Sequence, residues 1–342
     1  MGSYSQITPY YPPSISGVGD YSKLLADAAE QAGQELSTLV ASGTPSGATA
    51  LRAHSARELN QALEASEAVL LHFSGYGYAK WGLCHWLVEG LTAWKGVDAR
   101  RRLVTIFHEV YATGPVWRAS FWTSNSQRRI ARELANLSDV GFVTSQAGYD
   151  RLKALSSDIP LEVLAVFSNM GEPDWVEPLA QRQPVAVIFG GPSKRKSVYA
   201  AEHAALAAGM DRLEVQEIID IGPDQIAPKV FAGRPVRALG ALPEKEVSKW
   251  LLSARVGLID YPRHVVTKSG IAASYFAHGL LVVNASRIGN LPRDLAEGRE
   301  FETPEGLASG GNDPERVARV GYAWYQPHNL SQTWRKIHEA LG

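Results

Sequence analysis

Apolar residues in this chain fall in short runs separated by amphipathic stretches of helix length, the pattern of βαβ units wound around a parallel sheet. In the first half, the runs 4–8, 36–40, 68–73, 103–107, 139–143 and 162–167 predict strands. The stretches 20–33, 55–66, 79–95, 125–137 and 146–155 predict helices. In the second half, strands are expected at 184–190, 215–220, 256–260 and 280–284, and helices at 195–209, 244–254, 268–278, 290–297 and 313–324. Between the halves, residues 170–184 (MGEPDWVEPLAQRQP) hold three prolines, a glycine and no apolar periodicity, so neither helix nor strand propagates there. The expected division is therefore 1–172, 173–326 and a closing segment 327–342. In that last segment Leu330, Trp334, Ile337 and Leu341 share one side of a helix.

Length and composition narrow the class. A chain of 342 residues suits two domains of ordinary size. With 45% hydrophobic and 20% charged residues it is not a disordered chain. The 34 Lys+Arg against 35 Asp+Glu leave no global field for neutralising phosphates, so no nucleic acid is expected as a partner. No stretch reaches the ~20 apolar residues that cross a bilayer, and no basic-then-apolar leader opens the chain, so a cytoplasmic location is expected. The single cysteine, Cys84, permits neither an internal disulfide nor a thiolate metal cage. From Lys95 to Lys153 there are ten Lys+Arg against five Asp+Glu, and five of the nine tryptophans fall between Trp81 and Trp122. Basic and aromatic residues together suit a peripheral membrane contact, with an ordinary charged helix face over core tryptophans as the plainer alternative.

Candidate chemistry sits in strand-to-helix loops, because ligands of open parallel sheets bind beyond the carboxyl ends of the strands. The first such loop, TPYYPPSISGVGDYSKLL, places Gly17 and Gly19 before a helix with Asp20 as its expected N-cap. It lacks the third glycine and the downstream acidic residue of a dinucleotide fingerprint, and no Walker sequence occurs. In the second half, Gly190-Gly191-Pro192-Ser193-Lys194-Arg195-Lys196 opens a helix with three consecutive cations. Positive charge there opposes the helix dipole, and an anionic partner such as a diphosphate would relieve it. A third loop, 259–270, brings Lys268 and Ser269 to another helix start. His108 and Glu109 end the run 103–107, at the edge where a cleft would lie.

These loops resemble those of the GT-B glycosyltransferases, more closely a bacterial family 4-like group. The carrying segments are YYPPSISGVGDYSKLL, TIFHEVYATGPVW, VIFGGPSKRKS and LGALPEKEVSKWLLSARVGLIDYPRHVVTKSGIAASYFAHGLLVV. The resemblance implies an α/β protein of two Rossmann-like βαβ domains facing across a cleft. It implies an N-terminal acceptor domain, a C-terminal nucleotide-sugar domain and a closing helix returning to the first. By it, Gly17, Gly19, Gly190, Ser193, Lys194, Arg195, Lys268 and Ser269 bind the donor. His108 lies beside the transferred sugar, with Glu109 as the adjacent candidate base. The segment 71–78 offers His72 and Tyr76 to an acceptor. Val266 and Ser274 stand where retaining members carry two glutamates eight positions apart, and Gly191 stands where a pyrophosphate-binding arginine is expected.

The reaction so implied is transfer of a sugar from a nucleoside-diphosphate sugar to a glycan or lipid-linked acceptor, in polysaccharide or glycolipid assembly. No two aspartates stand two apart, so side-chain cations and helix amino ends, rather than a metal or other cofactor, are expected to stabilise the leaving diphosphate. A sugar-nucleotide epimerase or hydrolase, or a non-catalytic sugar-nucleotide-binding subunit, is the alternative.

Overall fold

A computed structural model describes residues 3–14, 16–43, 45–112, 119–156, 158–201 and 203–342. The chain divides into two compact units, Met1–Ala165 with Leu330–Gly342, and Val166–Asn329. The first division lies ahead of the expected 172–173 because residues after 165 bond into the second unit. The Val166 amide donates to Thr267 O at 2.9 Å and the Ser168 amide to the Tyr325 hydroxyl at 2.7 Å. The second lies at Asn329–Leu330 rather than 326–327.

The first unit carries seven strands, β1 (Tyr4–Thr8), β2 (Leu36–Val40), β3 (Thr49–Ala50), β4 (Ala68–Phe73), β5 (Arg102–Phe107), β6 (Val140–Val143) and β7 (Leu161–Val163). They form one parallel sheet in the order β3-β2-β1-β4-β5-β6-β7. β4 is buried along its whole length, which explains its unbroken apolar run: a central parallel strand is covered on both faces. Six helices precede the second unit, α1 (Gly17–Gln31), α2 (Ala56–Ala62), α3 (Gly75–Tyr78), α4 (His85–Val97), α5 (Ala119–Leu137) and α6 (Gln146–Lys153). The last helix of the chain, Leu330–Leu341, buries Trp334, Ile337 and Leu341, with Thr333 where the sequence suggested Leu330. Cys84 lies in this core, where burial pushes its thiol up to about 12 and keeps it protonated.

The second unit holds β8 (Gln183–Phe189), β9 (Glu217–Ile221), β10 (Val230–Phe231), β11 (Arg234–Gly240), β12 (Ala254–Ile259) and β13 (Leu281–Asn284). Their order is β10-β11-β9-β8-β12-β13, parallel except for the β10–β11 pair. β11 escapes a reading by apolar runs because it lies near the sheet's edge with four of its seven residues exposed and none buried. The helices are α7 (Pro192–Tyr199), α8 (His203–Arg212), α9 (Glu244–Ser253), α10 (Gly270–Ala277), α11 (Pro304–Ser309) and α12 (Pro314–Tyr325). One helix was expected over 195–209; the structure has two. The helix expected at 290–297 does not form. There the Ala296 amide donates to the Glu300 carboxylate at 2.8 Å, so a side chain takes the donor a helix would use.

Candidate functional site

In the first unit the sheet register builds a polar file. Parallel partners point to the same face, and so do residues two apart along a strand. Thr38 on β2 pairs with Gln6 on β1, Gln6 with Leu70 on β4, and His72, two positions beyond Leu70, with Ile106 on β5. His108 lies two beyond Ile106, and its amide continues the ladder by donating to Phe73 O at 2.9 Å. Thr38, Gln6, His72 and His108 therefore step diagonally across four strands on one face. The contacts follow: Gln6 Nε2 donates to Thr38 Oγ1 at 2.8 Å and to Ser22 O of α1 at 3.1 Å. Gln6 Oε1 is 3.0 Å from His72 Nε2, and His72 Nδ1 is 3.2 Å from His108 Nε2. Tyr21 of α1 sets its ring edge-on to both imidazoles, with centroids 5.9 and 5.1 Å away.

His72 is 0% exposed, and burial first, then the neighbouring His108, hold its ring well below the ordinary imidazole range. It is closed to an acceptor, which corrects its expected acceptor role, and its Nδ1 faces His108 instead. His108 is 8% exposed, and Glu109 beside it is exposed, its carboxylate accepting from the Ser74 hydroxyl at 3.3 Å. Gln6 was not anticipated; the signal was a carboxamide in the middle of a buried strand, where an unpaired polar group is costly.

The loop before α1 also departs from expectation. Ser16, not Asp20, caps the helix, its hydroxyl accepting from the Gly19 amide at 3.4 Å. Gly19 is buried, and a Cβ there would stand 3.2 Å from the Tyr10 carbonyl carbon and oxygen. A side chain there would crowd its own loop, so the glycine has a packing reason of its own. Gly17, at the helix start, is exposed with open space around it. Tyr76 is 44% exposed, its hydroxyl 3.3 Å from the Gln127 amide nitrogen. The TGPVWR portion of the segment around His108, residues 113–118, lies outside the described residues.

In the second unit, the loops after β8 and β12 meet. Lys194 Nζ lies 4.3 Å from the centroid of the Tyr261 ring, and a Cβ at Gly190 would come within 2.5 Å of Ile271 Cδ1 at the start of α10. Ser193, Lys194 and Lys196 are exposed and Lys268 half-buried. Arg195, by contrast, is 1% exposed and internally engaged. Its guanidinium donates to Gly190 O at 2.9 Å, to Asp224 O at 3.1 Å, to Pro223 O and to the Asp220 carboxylate. Tyr199 donates to the other Asp220 oxygen at 2.5 Å. Arg195 is the strut of the loop, and its expected diphosphate role is corrected. Ser269 is 4% exposed and caps α10 by accepting from the Ala272 amide at 3.2 Å, so its hydroxyl serves the helix.

Ser274 stands where one glutamate was expected and donates to Gly270 O at 2.7 Å, while its Oγ lies 3.1 Å from Ser168 Oγ. Below it, His278 Nδ1 lies 2.7 Å from Ser274 O, so it is the protonated nitrogen, and Nε2 is left to accept from Ser248 Oγ at 2.8 Å. Burial lowers this ring to about 4. Above pH 6.5 the ring is neutral folded or unfolded; between 6.5 and 4 only the unfolded chain takes a proton. The contribution of this ring to stability should therefore be lost as pH drops through that window, by roughly 3 kcal/mol. Urea titrations of the parent and of His278→Gln at stepped pH would read this, the variant having the flatter profile.

Several of the cations in 95–153 have partners, drawn from the five acids of the same segment, so the local excess remains. Lys95 pairs with Asp139, Arg100 with Asp98 and Arg129 with Glu133, while Arg101 donates to the carbonyls of Trp94 and Glu64. Trp94 is in the core, Trp86 is half-buried, and the side chains of Trp117 and Trp122 lie outside the description. Trp81 is 44% exposed. No described helix is long and apolar enough to cross a membrane.

No family model matches the sequence, and no curated protein matches it. Solved structures do. An alpha-glucosyltransferase in complex with UDP and a 13-mer DNA containing a HMU base matches with a TM-score of 0.58 at 12% identity, covering 99% of this chain and 100% of that one. AviGT4, a glycosyltransferase involved in avilamycin A biosynthesis, matches at 0.52 and 16% identity, covering 99% and 96%. A putative UDP-N-acetylglucosamine 2-epimerase from Listeria monocytogenes matches at 0.53 and 12%, covering 99% and 95%. The DNA complex overturns the exclusion of nucleic acid drawn from net charge: a protein of this architecture binds DNA, and a whole-chain sum does not report a local surface. The fold of this chain is that of the GT-B glycosyltransferases.

Proposed function

We propose that the protein is a glycosyltransferase that moves a sugar from a nucleoside-diphosphate sugar to an acceptor hydroxyl. The observation that carries this reading is the meeting of the β8 and β12 loops in the second unit, where Lys194 lies against Tyr261 at the amino end of α7, within a fold whose solved examples include UDP complexes. Opening of the anomeric bond leaves negative charge on the diphosphate. Lys194 and Lys268 are the cations suited to neutralise it, Arg195 being committed to the fold. In the first unit, His108 and Glu109 are suited to the sugar and to the acceptor hydroxyl. The family 4-like grouping is the finer part of the proposal and is supported by the quoted segments alone. A nucleic acid hydroxyl belongs among the acceptors to be tested, since a protein of like fold is bound to DNA.

We further propose that transfer needs no metal, the chain having no Asp-x-Asp. UDP-glucose should be turned over with UDP release in the presence of a sugar or HMU-containing DNA acceptor, at an unchanged rate in EDTA. Lys194→Ala should raise the UDP dissociation constant about 10–100-fold, the equivalent of about 1.5–3 kcal/mol for a charge-assisted contact, and leave the melting temperature unmoved. An unaltered UDP affinity in Lys194→Ala removes that residue from the site. The epimerase-like match supports a second reading, which predicts a new nucleotide sugar formed without acceptor.

A further inference from the structure

We propose that Gln6 and His72 are positioning residues that fix the ring tautomer of His108, holding its ring hydrogen on Nε2. The inference rests on the proposed reaction for what Nδ1 meets; the tautomer itself is a property of the free protein.

The orientation of the Gln6 carboxamide is set by an obligate acceptor. Gln6 Nε2 lies 3.1 Å from the Ser22 carbonyl, which only accepts, so the amide nitrogen faces α1 and β2. Gln6 Oε1 therefore faces His72 Nε2 at 3.0 Å, and a carboxamide oxygen also only accepts. The hydrogen of His72 is on Nε2. His72 is kept neutral by complete burial, so its Nδ1 carries a lone pair. His108 Nε2, 3.2 Å away, must be the donor to it. A neutral His108 with hydrogen on Nε2 has its lone pair on Nδ1, and a protonated His108 keeps Nε2–H and gains its second hydrogen at Nδ1. In both charge states Nδ1 is the nitrogen that changes.

The chain of three side chains is possible only because the register brings β1, β4 and β5 into step, each residue two positions further along than its neighbour's partner. Tyr21 presses edge-on against both rings and opposes their rotation. An uncharged Nδ1 accepts from a hydroxyl and does not donate to a phosphate oxygen. In its neutral form the ring is thus suited to a sugar or acceptor hydroxyl.

Long-range proton–nitrogen correlation spectra of the free, full-length 15N-labelled protein test it, with His108→Gln and His72→Phe assigning the two rings. Both histidines should show the Nε2–H pattern. In His72→Phe the His108 signals should move toward a mixture of tautomers, and turnover of UDP-glucose should fall at least tenfold with UDP affinity unchanged. Should His72→Phe fail to fold, the parent spectrum alone decides. An Nδ1–H pattern for His108 in the parent, or an unmoved His108 signature in a folded His72→Phe, overturns the proposal. Expected tautomers in a protein that transfers sugar from no nucleotide sugar would instead sink the transferase reading and leave the ring chemistry standing.

Discussion

Replacing Arg195 with alanine should destabilise the second unit by about 3–5 kcal/mol, a loss read as a lower urea midpoint. The guanidinium is fully covered and joins Asp220, itself 1% exposed, to the carbonyls of Gly190, Pro223 and Asp224. Its removal leaves a carboxylate in the interior bonded, among the described side chains, to the Tyr199 hydroxyl, and three carbonyls without their donor. Arg195→Lys should rescue little, because an ammonium cannot reproduce the fork that spans these acceptors. Space is equally constrained: a Cβ at Gly222, which has φ of +157°, would come within 2.6 Å of Arg195 Nε and also meet Gly190 O. The contrast with Lys194→Ala is the test of the assignment. A stability loss at 194 and a nucleotide-affinity loss at 195 would reverse the roles given to the two residues.

His108→Ala should lower turnover of UDP-glucose by ~10²–10⁴-fold, the range for a positioned proton-transfer or hydrogen-bonding group, with UDP affinity unchanged. The ring is 8% exposed and is held by its bond to His72 and by the Tyr21 edge, so it is preorganised rather than selected on binding. The measurement is initial rate against donor concentration. A drop confined to KM would make His108 a binding residue, and an unchanged kcat would remove it from the chemistry. Glu109, exposed and bonded to Ser74, offers the comparison: if it is the base, Glu109→Gln lowers kcat without the change in His108 tautomer that His72→Phe brings.

Much of the fold was legible as pattern. The central strands are covered on both faces, and burial of that kind writes itself as consecutive apolar residues; β4 is AVLLHF and β8 is QPVAVIF. The strand ends located His108, Glu109, Lys194 and Lys268, since position relative to a strand's carboxyl end is a one-dimensional property. What failed was local. β11 lies near an edge with mixed exposure, the Glu300 carboxylate takes a backbone donor from the expected helix at 290–297, and Ser16 rather than Asp20 caps α1.

The sequence by itself determined the alternation of strands and helices, the presence of two units and the loops in which chemistry can sit, because each follows from near neighbours along the chain. Tertiary structure alone decided which of two adjacent cations is a buried strut and which stays exposed, and which of two histidines is sealed completely. Lys194 and Arg195 are one peptide bond apart and differ in that Arg195 turns inward to Asp220, 25 residues away. Gln6, His72 and His108 are spread across a hundred residues and become one hydrogen-bonded file only when the register of three strands is set. Charge and hydrogen bonding act through space, and the distances that govern them exist only in the folded chain.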